Sequence, residues 1–192
     1  MPSSVGTQQG LRLAFLSYVE IEKGLSGRGA ALVTDHVTKP LEFRCTTPIR
    51  PNPVQRTLYG ATLRPYIAVD LVGVSLIEAI QEKPQVVIVQ DSSFLDLRPK
   101  IPYYMVCIAK QGEQPDGAAP GHPKQGAADH GLLVCDSGRF QSLTAITHWK
   151  HDAELSAILS VLRPVFTAVD LLEPFARIER AVAEVERQQP GR

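Results

Sequence analysis

The sequence predicts an α/β fold: a mixed sheet with an antiparallel three-strand meander, a long helix, buried central strands and C-terminal helices. Three observations predict it. Three short strand-like runs follow one another over residues 11–49 with brief links. A marked helix start comes next, at Asn52-Pro53. "VVIV" and "MVCIA" are then continuous apolar runs, the pattern of strands covered on both faces.

From Leu11 to Ile21 the residues alternate, with Leu11, Leu13, Phe15, Val19 and Ile21 on one face and Glu20 solvated on the other. Residues 22–29, "EKGLSGRG", read as a glycine-rich connection, and 30–36, "AALVTDH", as the second strand. The third covers 41–49, with Leu41, Phe43 and Cys45 opposite Glu42, Arg44 and Thr46. Asn52 as N-cap, Pro53 at N1 and Gln55 at N3 form a capping box, and Tyr59-Gly60 implies close packing of this helix on the sheet. The helix runs from Pro53 to Glu82 with bends near Pro65 and Gly73. Strands at 84–91 and 101–110 flank a short helical turn. Residues 111–131, rich in Gly, Pro and Ala, read as a flexible loop. A hairpin about Asp136-Ser137-Gly138 follows, then two helices with apolar faces Leu155, Ile158, Leu159, Leu162 and Phe175, Ile178, Val182, Val185. Residues 1–10 are expected to be disordered and 11–189 to form one domain. This element order is that of the ribonuclease H-like fold.

Twenty basic and twenty acidic side chains cancel, which argues against a dedicated nucleic-acid coat. No apolar run approaches the roughly 20 residues of a membrane helix. "MPSSVGTQQG" has no apolar signal core, so a cytoplasmic protein without membrane contact is expected. Cys45, Cys107 and Cys135 are widely spaced and read as free thiols.

The stretch "LYGATLRPYIAVDLVGVSLIEAIQEKPQVVIVQDSSFLDLR", followed by "IPYYMVCIAK", resembles the central region of endonuclease V-like proteins. Those carry a helix, a "PDxxLVDG"-type strand and a strand ending in "GVAK". "LLEPFARIERAVAEV" is similar to their closing segment, and "FLSY" to their "GVDVSY". The resemblance implies carboxylates holding a divalent cation, which demands hard oxygen ligands. In this register, however, Phe15 takes the first aspartate position. Val72 takes the helix glutamate, with Asp70 two residues away, and Gln90 or Asp91 takes the central-strand aspartate. The catalytic acids of such a site are mostly missing.

Several groups remain as candidates. Asp91 ends a buried strand, where α/β ligands bind, and is equally a good N-cap for the turn that follows. Glu20, Glu22 and Asp35 sit near strand ends. "HWKHD" sets His148 and His151 at i, i+3, but further zinc ligands would have to come from His122 or His130, and Asp152 reads as a cap. Between residues 39 and 64, Lys39, Arg44, Arg50, Arg56 and Arg64 face only Glu42, and Arg50 and Arg56 bracket a helix N-terminus that favours anions. That corner is either an anion site or a stiff joint whose arginines pair with Glu173, Glu179, Glu184 and Glu186. The expectation is a non-catalytic binding module, without cofactor, contacting nucleic acid or an acidic protein partner through Arg44, Arg50, Arg56 and Arg64. The alternative is a Mg²⁺- or Mn²⁺-dependent endonuclease with Asp91 central and Asp70, Glu20 or Asp35 assisting.

Overall fold

The computed structural model describes residues 10–113 and 131–188. The expected N-terminal disorder, nearly all of the 111–131 loop, and His122 and His130 lie outside the described residues. One seven-stranded sheet runs through the fold in the order β3-β2-β1-β4-β5-β7-β6. Strands β1 (Leu13–Ile21), β2 (Ser26–Thr34) and β3 (Pro40–Cys45) form the antiparallel meander. β4 (Val86–Val89) lies parallel to β1, and β5 (Tyr104–Lys110) parallel to β4. β7 (Leu143–Ile146) returns antiparallel to β5, and β6 (Gly131–Leu133) is the far edge. This is the mixed α/β sheet with the meander on one side of a parallel centre, as the element order predicts.

Each face of the sheet is covered by helices. On one side α4 (Leu155–Ala168) and α5 (Glu173–Gln188) bury Ile158, Phe166, Phe175, Ile178 and Val182 against Leu13 and Phe15. The Phe15 and Phe175 rings meet edge to face at 5.5 Å. On the other side Ile67, Val69, Val72 and Leu76 cover Ala14, Leu16, Val87 and Val89. Both faces of β1 are therefore core up to Leu16, and only its C-terminal end emerges. α5 is also tied to β2 by the buried Arg28, which pairs with Glu186 and donates to the Thr46 carbonyl at 2.7 Å.

The third strand stops at Cys45 rather than running to Ile49, and two further boundaries differ more from the sequence reading. The "SGRG" stretch belongs to β2, because Gly27 and Gly29 serve close approach rather than a turn. A Cβ on Gly29 would lie 2.3 Å from Val72 Cγ1, and one on Gly27 would lie 2.4 Å from Tyr18 Cζ. The expected Pro53–Glu82 helix is instead segmented and ends at Ala79. It comprises α1 (Pro53–Tyr59), a 3₁₀ turn at Gly60–Thr62, α2 (Leu63–Tyr66), a π-helical stretch at Ile67–Gly73, and α3 (Val74–Ala79). The break falls at Gly60, whose φ of +50° suits glycine, not at Pro65, which sits in the first turn of α2 where its missing N–H costs little. The helix stops short because the Gln81 and Glu82 N–H groups both donate to Glu42 Oε2, at 2.8 and 2.9 Å. Burial alone would raise the Glu42 carboxyl, but these N–H groups and the Arg44 guanidinium outweigh it and hold its pKa below the ordinary value. Pro53–Ala79 spans 27 residues and has the length and apolarity of a membrane span, yet Ile67, Val69, Val72 and Leu76 are buried under the sheet as in a core helix.

Gly29→Ala is expected to lower unfolding stability by about 1–3 kcal/mol in urea denaturation through overpacking against Val72. Val72→Ala in the same chain should recover part of that loss, and an unchanged Gly29→Ala midpoint would contradict the contact.

Candidate functional site

The capping box forms as expected: Gln55 N–H donates to Asn52 Oδ1 at 2.8 Å, and the Asn52 N–H donates to Gln55 Oε1 at 2.9 Å. This fixes α1 beside the β1–β2 connection, where Arg56 donates to the carbonyls of Pro51, Gly24 and Leu25 at 3.1, 3.2 and 2.7 Å. α1 and α2 bury no residue, however. Tyr59, expected to pack on the sheet, instead stacks on Tyr66 at 4.8 Å and stays exposed, because the chain turns away at Gly60.

Between this projecting corner and the C-terminal ends of β1 and β4 lies a cleft of about 260 Å³, lined by Tyr18, Glu20, Arg56, Arg64, Ile67 and Asp91 among others. It sits where open α/β sheets bind ligands. At its centre Arg64 Nε donates to Asp91 Oδ2 at 2.7 Å, and Arg64 Nη1 donates to Glu20 Oε1 at 3.2 Å. The other Asp91 oxygen accepts the Ser93 N–H at 2.9 Å and caps the 3₁₀ turn Ser92–Lys100. The cap reading of Asp91 is realised through Oδ1, while Oδ2 is taken by Arg64. Burial would lower the Arg64 pKa, but Asp91 and then Glu20 outweigh it and hold the guanidinium above its ordinary value. The Asp91 side chain is 13% exposed but Arg64 is 43% exposed, so solvent screening holds their bond to about 1 kcal/mol. The Glu20 arm, 55% exposed, is worth about 1 kcal/mol at most.

The remaining candidates go elsewhere. Asp70 pairs with Lys100 at 2.6 Å on the surface, outside the cleft lining. Arg50 meets Glu22 at 3.4 Å, and Arg44 meets Glu42 at 2.7 Å on β3. The expected arginine pairing with the C-terminal helix is made by Arg28, not by any of the four corner arginines. Asp35 shapes the β2–β3 turn by accepting the Val37 and Lys39 N–H groups. In "HWKHD" the cap is His148, accepting the Lys150 N–H at 3.2 Å, rather than Asp152, which accepts the Thr147 hydroxyl at 3.1 Å. His151 bonds Glu154, which also binds Arg98 through two nitrogens. Tyr18 was not singled out from the sequence. Its signal was the second apolar face of β1, Ala14 and Leu16, which carries on through Tyr18 to Glu20.

No protein-family model and no curated protein sequence matches the chain. Solved structures do. Human endonuclease V superposes with a TM-score of 0.51 at 13% identity, over 94% of this chain and 86% of that one. The catalytic domain of human endonuclease V, in a cysteine-substituted form, superposes with a TM-score of 0.54 at 14% identity, over 94% and 84%. At these identities the likeness establishes the fold: the chain has an endonuclease V-like, nuclease-type α/β architecture. A divalent cation implied by that resemblance does not fit the side chains present. Among the described residues no three His, Cys, Asp or Glu groups converge to hold one, and the two cleft carboxylates are both engaged by a guanidinium.

Burial, then the Glu20 charge, raises the Tyr18 phenol above its ordinary 10.0, while Arg56 and Arg64 act the other way. In NMR titrations Glu20→Gln is expected to lower the Tyr18 pKa and Arg64→Met to raise it further. A Tyr18 pKa indifferent to both would contradict the arrangement.

Proposed function

We propose that the chain is a non-catalytic binding module on an endonuclease V-like fold, docking a protein partner on the corner formed by α1 and the β1–β2 connection. The observation that carries it is the commitment of Glu20 and Asp91 to Arg64. Metal-assisted hydrolysis needs carboxylate oxygens open to the ion, and here the Arg64 guanidinium takes one oxygen of each carboxylate.

A protein partner is favoured over nucleic acid by charge. The excess of positive residues counted along the sequence is offset in space by Glu20, Glu22 and Asp91, which come from distant segments. That leaves little field for phosphate-driven binding. The same corner exposes Leu25, Val54 and Leu58 at 65%, 64% and 78%. Val54 and Leu58 are one turn apart on one face of α1, and Arg56, on the other face, holds the Leu25 carbonyl of the β1–β2 connection. Exposed apolar anchors on this helix suit a protein partner with an apolar surface of its own. Three free cysteines support a reducing, cytoplasmic setting.

Purified protein is expected to leave single- and double-stranded DNA and RNA intact in Mg²⁺ or Mn²⁺. A photo-crosslinker at position 58 should give a discrete protein adduct in cells that Val54→Asp removes. Cleavage that Asp91→Asn abolishes would overturn the reading, and nuclease-sensitive adducts would replace the protein partner with nucleic acid.

A further inference from the structure

We infer that Arg64 is a built-in cation: its guanidinium supplies the positive charge that joins the ends of β1 and β4, and its removal converts Glu20 and Asp91 into a divalent-cation site. This rests on the non-catalytic reading above and goes further by naming one residue that excludes metal.

The charge balance of the cleft carries the inference. Glu20 and Asp91 leave neighbouring parallel strands and both reach one side chain on α2. Without Arg64 two anions face a cleft that Arg56 also lines, and Arg56 is directed at the carbonyls of Pro51, Gly24 and Leu25. Asp91 is held in place independently by the Ser93 N–H. Glu20 stays on β1, opposite Gly27 of β2. Asp91 therefore keeps its position when the guanidinium is gone, Glu20 remains tethered to the same cleft by β1, and two like charges facing one cleft draw a cation. Mn²⁺ accepts carboxylate and water oxygens and fits a site with only two protein anions.

The test is Mn²⁺ uptake by the full chain, read by electron paramagnetic resonance, with melting temperature as the second readout. Wild type is expected to bind no Mn²⁺ at about 1 mM, the weak end of carboxylate sites, and to melt equally in EDTA and Mn²⁺. Folded Arg64→Ala and Arg64→Gln should each bind one Mn²⁺ and melt higher with it. Adding Glu20→Gln should weaken that binding at least about tenfold. Should either variant be unfolded in EDTA, Mn²⁺ is expected to restore its fold, and failure to do so would overturn the inference. Folded variants that bind no Mn²⁺ would overturn it too, while leaving the non-catalytic reading standing. Wild-type binding that Glu20→Gln or Asp91→Asn abolishes would overturn both.

Discussion

One guanidinium decides what the C-terminal edge of this sheet can be. Parallel strands β1 and β4 pair up to Phe15 and Ile88, and β1 runs on past the end of β4, so Glu20 and Asp91 reach the same cleft. Two like charges facing one cleft call for compensation, and Arg64 provides it through Nε and Nη1. A monovalent group on a covalent tether offers no open coordination position, so the edge becomes a closed polar joint beneath a projecting corner. The corner's apolar surface, rather than the cleft's acids, is then the feature left unmatched.

The rest of the architecture places that arginine. Gly29 lets the helical layer come within van der Waals contact of β2 at Val72. The break at Gly60 and the π-helical stretch after Tyr66 isolate α2 as a short segment carrying Arg64 over the strand ends. Irregular helix turns of this kind are enriched at functional positions. Arg56 anchors the start of the same layer to the β1–β2 connection. On the opposite face, Arg28 and Glu186 fasten α5 to β2, and loss of the half-buried Glu186 would leave the buried Arg28 charge uncompensated.

Much of the fold was readable because its signals are local. The meander, the Asn52 capping box, the continuous apolar β4 and β5, and the amphipathic α4 and α5 each follow from spacing within a dozen residues. The glycines of β2 misled because glycine signals a turn and a close contact alike, and only the partner, Val72 or Tyr18, distinguishes them. The site was half readable. Glu20, Asp91 and Arg64 were each marked as candidates, but as rivals: acids for a metal, an arginine for an anion. That they neutralise one another is set by the β1–β4 register and the placement of α2, neither of which a charge count along the chain contains. The same limit made the segment from Lys39 to Arg64 look strongly basic when Glu22, Glu20 and Asp91 fold back onto it.

The most direct measurement is a crystal soaked in Mn²⁺ and examined at a wavelength where manganese scatters anomalously. The expected map shows the Arg64 guanidinium between Glu20 and Asp91 and no anomalous peak in the cleft. A peak bound by those two carboxylates, with Arg64 swung aside, would contradict the central claim and return the chain to the metal-dependent nucleases.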